Sequence, residues 1–173
     1  MGLYDYSFKT DEREVARAQA HDLDASYKEL SQVLRALKGH SIPESKRILE
    51  DCIARKKPIE FRQYNTGMGH RSELGGKKGR FPVKEAKIAM KLLKNAEANA
   101  NYKGLSVDEL VVRQVASYKQ NVIKRYRHTW ASSAVLGYGK QAIWANLVTC
   151  RAELVLGKGK SWKARISSPI SSI

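Results

Sequence analysis

Between Glu109 and Glu153 the chain has no carboxylate, although Arg113, Lys119, Lys124, Arg125, Arg127, Lys140 and Arg151 all lie in that interval. Solvated surfaces normally mix charge signs. A stretch this long without an acid is one where negative charge is harmful, which is the pattern that contact with phosphates produces.

Other scarcities narrow the classes. Aromatic residues make up 8% of the chain, too few for a large aromatic-lined pocket. The two cysteines, Cys52 and Cys150, are far apart, which excludes a disulfide scaffold and fits buried thiols in a reduced compartment. No apolar run is long enough for a transmembrane helix. The segment MGLYDYSFKTDEREVARAQ contains Asp5, Asp11, Glu12 and Glu14 and no continuous apolar stretch, which argues against a secretory signal. Tyr6 stands where a myristoylation motif wants Ser or Thr. A cytoplasmic protein without membrane insertion is expected.

Chemistry is scarce as well. The four histidines, His21, His40, His70 and His128, are scattered, and no Cys or His pair has zinc spacing, so no metal and no cofactor are expected. There is no Gly-x-Ser-x-Gly elbow and no paired-carboxylate pattern, so no catalytic residues are assigned and no enzyme is expected. Gly157-Lys158-Gly159-Lys160-Ser161 ends like a phosphate-binding loop. It has Leu154 where the pattern needs its first glycine, and Pro169 interrupts the helix that must follow.

What the chain has is positive charge: 32 Lys and Arg against 17 Asp and Glu, net +15. Such an imbalance costs self-repulsion unless a polyanion neutralises it. Nucleic acid is the usual partner, ahead of an anionic membrane. Residues 1–54 are nearly balanced, with 8 basic and 10 acidic residues, whereas residues 55–94 have 12 against 3 and residues 95–173 have 12 against 4. The polyanion-facing surface is therefore expected beyond the first third.

Weak alternation predicts a short strand over Tyr4–Lys9, and a helix is expected over about Glu12–Ala20. Ser26 and Glu29 form a capping box that opens a helix to about Leu37, with Leu30, Val33, Leu34 and Leu37 on one face. Ser41 and Glu44 repeat the cap for a helix that buries Ile48, Leu49, Cys52 and Ile53. Residues 58–81, PIEFRQYNTGMGHRSELGGKKGRF, hold five glycines and six basic residues (His70 included) without periodicity, and predict a long structured loop. Its cluster Gly75-Gly76-Lys77-Lys78-Gly79-Arg80 lacks the Ser or Thr of a phosphate loop, and its glycines fit close approach of the backbone to RNA. Pro82 then opens the longest helix, to about Asn101. Ala86, Ala89, Met90, Leu93, Ala96 and Ala100 form its buried stripe, and Lys84, Lys87, Lys91 and Lys94 cover the other side.

Leu110–Tyr118 is Val-rich and predicts a strand. Cys150, Ala152, Leu154 and Leu156 alternate with Arg151, Glu153 and Val155, which predicts a half-buried strand. The residues between these strands form either a disordered loop or a protruding hairpin. Arms of roughly 15 residues would reach about 50 Å, and such a ribbon needs a partner to order it.

The motifs PIEFRQYNTGMGH, GRFPVKEAK and LLKNAEANANYKGL, between Pro58 and Leu105, resemble the universal large-subunit ribosomal protein L-twenty-two family in its archaeal and eukaryotic form. SYKELSQVLRALKGHSIPESKRILEDCI fits the same family, and the likeness covers about Tyr4 to Arg127 plus Cys150–Leu156. The resemblance implies an α+β fold: a small three-stranded antiparallel sheet packed with three helices, a long protruding β-hairpin and a basic C-terminal tail. It implies a non-catalytic structural constituent of the large ribosomal subunit that binds large-subunit rRNA and supports its assembly. The globular part would sit near the outer opening of the polypeptide exit tunnel, and the hairpin would run inward along the tunnel wall. The implied partners are rRNA, neighbouring large-subunit proteins and the nascent polypeptide.

In this sequence Arg62, Tyr64, Asn65, His70 and Arg71 match the family's loop motif. Lys77, Lys78, Arg80, Lys84, Lys119, Lys124, Arg125, Arg127 and Lys140 complete the expected rRNA-binding set. Arg127, His128, Trp130, Tyr138 and Lys140 are the tunnel positions that the resemblance implies. The expected division is a globular part over 1–118 and 150–156, a hairpin arm over 119–149 and a basic flexible tail over 157–173. The chain departs from the family after Lys124-Arg125-Tyr126-Arg127, where an Arg-Ala-x-Gly-Arg motif usually follows and HTWASSAVLGYGKQAIWANLV stands instead. Trp130 and Trp144 fit cross-strand packing better than base stacking on RNA, and both readings remain open. The alternative function is a non-ribosomal RNA-binding protein that uses the same basic surface.

Overall fold

The computed structural model describes residues 5–8, 14–125 and 145–159. The chain runs β1 (Val15–Leu23), α1 (Tyr27–Leu37), α2 (Ile42–Ile53), β2 (Ile59–Glu60), β3 (His70–Arg71), β4 (Lys77–Arg80), α3 (Val83–Tyr102), β5 (Leu110–Arg125) and β6 (Ala145–Lys158). The antiparallel sheet has the order β1-β6-β5, and a second, smaller sheet has the order β2-β4-β3. The architecture is the expected α+β one, with three helices on a three-stranded sheet and a long hairpin.

The capping box at Ser41 forms in full, whereas at Ser26 the hydroxyl half of the box forms. The Ser26 hydroxyl accepts from the Glu29 N–H at 3.4 Å, and the Ser41 N–H donates to Glu44 Oε2 at 3.3 Å. These contacts satisfy N–H groups that a helix start leaves orphaned. Leu30, Val33, Leu34 and Leu37 of α1 are fully buried, as their spacing predicts. In α2 Leu49 and Cys52 are buried, while Ile48 and Ile53 pack at the margin of the core. In α3 Leu92 joins the alanine stripe and Met90 is only half-buried.

The first strand overturns two expectations. Val15–Leu23 is a strand and not part of a helix, and Asp5–Phe8, the described part of Tyr4–Lys9, lies outside every strand. Alanine, arginine and glutamine favour a helix locally. Here Ala16 and Ala18 instead face the core, and the strand pairs with β6 from Val15↔Gly157 to Leu23↔Cys150. Small side chains on both sides let α3 approach closely, through Ala86, Ala89, Ala96 and Ala100. Its Asn99 and Lys103 side chains donate to the Arg17 and Val15 carbonyls at 2.8 and 3.1 Å. The helix thus blunts an edge strand whose carbonyls would otherwise stay open.

The strand expected to be half-buried is buried on both faces at Glu153 and Val155. Residues 5–8 cross the sheet's outer face. There the Ser7 N–H and hydroxyl donate to Glu153 Oε2 at 3.0 and 2.7 Å, and Arg151 reaches both Glu153 and the Asp5 carbonyl. This strap satisfies a carboxylate that would be costly to bury unpaired. Because β6 continues through Lys158, Gly157 and Lys158 are ladder residues and not part of a phosphate loop.

β5 and β6 pair from Leu110↔Lys158 out to Arg125↔Ala145, with irregularities at Val112/Gln114 and Lys119/Val122. β1 stops at Leu23, so the pairs from Val122↔Val148 outward form a two-stranded ribbon beyond the sheet. Val122 and Ile123 on that ribbon are exposed.

Candidate nucleic-acid interface

The segment from Phe61 to Phe81 resolves into the small sheet and a turn of 3-10 helix over Ser72–Leu74. Buried Phe61 and Met68 anchor it. Buried Gln32 of α1 pins it further: Gln32 Oε1 accepts from the backbone N–H groups of Arg62 and Gln63 at 3.2 and 3.3 Å. Asn65 Nδ2 donates to the Phe61 carbonyl at 3.3 Å and closes the turn from inside. The family-motif asparagine therefore has a structural role.

Tyr64 has a left-handed backbone, φ +54°, and its side chain is 47% exposed. Its ring meets Tyr27 edge-on, with centroids 6.4 Å apart, and the Lys28 ammonium lies 5.6 Å from the Tyr64 centroid. A non-glycine residue in this conformation is held there by its surroundings. An exposed ring next to an ammonium presents a face for base stacking and a charge for phosphate.

His70 and Arg71 pair with Lys78 and Lys77, so four of the expected RNA ligands share one short ladder. His70 Nδ1 lies 2.6 Å from the Gly76 carbonyl, and Arg71 Nε donates to the Gly79 carbonyl at 3.3 Å. The glycines differ in role. Gly75 and Gly76 take left-handed turns with open space around them. Gly79 is buried, and a Cβ there would meet the Ile59 carbonyl oxygen at 2.7 Å. Gly79 is thus required by strand packing and not by close approach of RNA.

Several expected ligands are engaged internally. Arg62 and Lys77 share Glu60 at 3.3 and 3.6 Å, Arg80 reaches Glu29 at 3.6 Å, and Lys84 holds Asp24 at 3.0 Å. These exposed pairs are weak and readily exchanged for phosphate. Lys119 is exposed at the base of the arm, opposite Cys150. Lys124 and Arg125 pair with Asn146 and Ala145 near the end of the described ladder. Arg127, His128, Trp130, Tyr138, Lys140 and Trp144 lie outside the described residues, as do residues 160–173 of the expected tail.

The fold also assembles cations that reasoning from the sequence did not group. Arg35 and Lys38 at the end of α1, Arg113 of β5 and Lys158 of β6 line one cleft together with Arg62. No local motif announces it, because its residues come from four separated segments.

A family model described as ribosomal protein L22p/L17e matches residues 18–132. Large ribosomal subunit protein uL22 of Staphylothermus marinus is 37% identical over 131 residues, covering 73% of this chain and 83% of that protein. The Thermofilum pendens protein of the same name is 40% identical over 126 residues, with the same coverage. That of Methanocaldococcus jannaschii is 36% identical over 127 residues, covering 73% and 81%. With its two-stranded arm, its glycine-rich basic ladder and a family match over most of its length, the chain belongs to the ribosomal protein L22p/L17e family.

Proposed function

We propose that this protein is a structural constituent of the large ribosomal subunit, where it binds large-subunit rRNA, supports its assembly and sends its β5–β6 arm along the wall of the polypeptide exit tunnel. It works as a scaffold and not as an enzyme, in the cytoplasm, among rRNA and neighbouring large-subunit proteins, with the nascent chain near the arm. The observation that carries this reading is the ribbon. Two paired strands leave the sheet where β1 stops, and no acidic residue occurs along them between Glu109 and Glu153. A two-stranded ribbon is marginal alone in water, so a polyanionic groove that neutralises its cations supplies what the fold lacks.

In this reading Arg62, Tyr64, His70, Arg71, Lys77, Lys78 and Arg80 form the rRNA contact of the globular part. Lys84 supports it from the first turn of α3, and Asn65 holds the loop's shape. Lys119, Lys124, Arg125, Arg127 and Lys140 track the rRNA along the arm. Arg127, His128, Trp130, Tyr138 and Lys140 lie toward the tunnel.

Sedimentation of a cell extract in high salt tests the assignment. The tagged protein is expected to travel with large subunits. Recovery with small free RNAs and absence from large subunits would overturn it in favour of a non-ribosomal RNA-binding role.

A further inference from the structure

The cleft between the end of α1 and the open end of the main sheet has a volume of about 700 Å³. That is the size of a small-molecule site, large enough for a short stretch of nucleic-acid backbone. Its walls carry Arg35, Lys38, Arg62, Arg113 and Lys158, and its one carboxylate, Glu60, is already engaged by Arg62 and Lys77. Among the described residues, Arg35, Arg113 and Lys158 have no carboxylate at ion-pair distance, and Lys38 donates to the neutral Gln114 at 3.1 Å. The C-terminal pole of α1 adds only about half a negative charge. The cleft is therefore strongly cationic: Glu60 offsets Arg62, and Arg35, Arg113 and Lys158 have no counter-ion among the described residues.

Its construction depends on glycine. The irregularity between Val112 and Gln114 sets Arg113 off the regular ladder, and such bulges re-aim a side chain. Arg113 then lies across Gly157: a Cβ there would sit 3.2 Å from Arg113 Cδ, and one at Gly159 would sit 3.1 Å from Val111 Cγ2. The Gly-Lys-Gly segment that imitates a phosphate loop in sequence thus leaves room for an arginine.

We infer that this cleft holds a short stretch of the phosphodiester backbone of large-subunit rRNA, as a contact that adjoins the Phe61–Phe81 ladder through Arg62 and extends beyond it and the arm. The inference rests on the ribosomal reading above. The one aromatic ring in the lining is the His40 imidazole, which is held 3.4 Å from Glu44, so the contact is chiefly to phosphate and sugar and carries little sequence preference. A docked protein would need apolar anchors. The apolar lining is Ala36 with Val111 and Val112, and both valines are already buried.

Amine acetylation of the full-length chain tests this in three states: free, bound to protein-free large-subunit rRNA, and in the large subunit. Lys38 and Lys158 are expected to lose labelling on the bare rRNA, alongside Lys77 and Lys78. Protection of Lys77 and Lys78 alone would overturn the cleft and leave the ribosomal reading intact, whereas protection of none would overturn that reading as well. Protection of Lys38 and Lys158 only in the whole subunit would assign the cleft to an acidic segment of a neighbouring protein, against this inference. The double substitution Arg35→Gln/Arg113→Gln gives a second readout. It is expected to lower the slope of log affinity against log salt by about 1.4 on single-stranded rRNA segments, and an unchanged slope would overturn the contact.

Discussion

Asp22 and Asn121 are joined by a 2.6 Å hydrogen bond from the Asn121 side-chain amide to the Asp22 carboxylate, at the point where β1 ends and the arm leaves the sheet. The Thr149 hydroxyl donates to the same carboxylate oxygen at 3.3 Å and accepts from the Asn121 N–H at 3.2 Å. The Asp22 N–H donates to Gln120 Oε1 at 2.8 Å. One left-handed residue, φ +48°, therefore clasps both strands of the ribbon at its irregular register step. Asp22→Ala is expected to cost roughly 1–2 kcal/mol, because it removes charge-assisted hydrogen bonds and leaves alanine in a left-handed conformation. Asp22→Asn should cost less. Thermal unfolding and exchange of the Asn121 amide check this, and wild-type values for Asp22→Ala would show that the clasp holds nothing.

The arm and the globular part should be separable. Every β1–β6 pair and the β5–β6 pairs up to Lys119↔Cys150 lie inside the main sheet. Deletion of residues 127–140 with a short turn inserted is expected to leave the thermal transition of the full chain essentially in place. Loss of a cooperative transition would show that the arm is part of the core.

The two thiols make stability fall at alkaline pH. Burial, reinforced by the Glu85 carboxylate, pushes Cys52 and Cys150 up to about 11. In the unfolded chain they ionise near 9.0. The unfolded state therefore loses protons first as pH rises, and the thiols' contribution is complete below pH 9 and lost by about pH 11. The loss is on the order of 2 kcal/mol per thiol. Denaturant unfolding between pH 8 and 11 should show this decline, and the Cys52→Ala/Cys150→Ala variant should show a shallower one. Native protein at pH 8 should also resist alkylation until it is unfolded.

Gly79 is the least replaceable glycine of the basic ladder. Gly79→Ala would drive a Cβ against the Ile59 carbonyl and the Leu74 side chain. The expected loss is about 1–3 kcal/mol, with faster amide exchange across β2 and β4. Changes at Gly67 or Gly75 meet no neighbour and should cost only their left-handed strain. Equal stability of Gly79→Ala and wild type would show that the small sheet yields freely.

Local periodicity was enough for the helices. The Ser26 and Ser41 caps, the Leu30–Leu37 face and the alanine stripe of α3 each lie within a few turns of chain, so the sequence itself determined them. The charge imbalance and the specific run from Asn95 to Leu105 likewise determined the partner class and the family. Other features depended on residues distant in sequence. Val15–Leu23 has the composition of a helix and becomes a strand because β6 offers a ladder and α3 offers donors to its carbonyls. Glu153 looks like a solvent-facing position until Ser7 and Arg151 close over it. Arg35, Lys38, Arg113 and Lys158 carry no shared motif and form one cleft only when α1, β5 and β6 meet. The division is physical: caps and periodic faces arise from neighbours in the chain, whereas buried charge, edge protection and charged clefts arise from elements that meet only on folding.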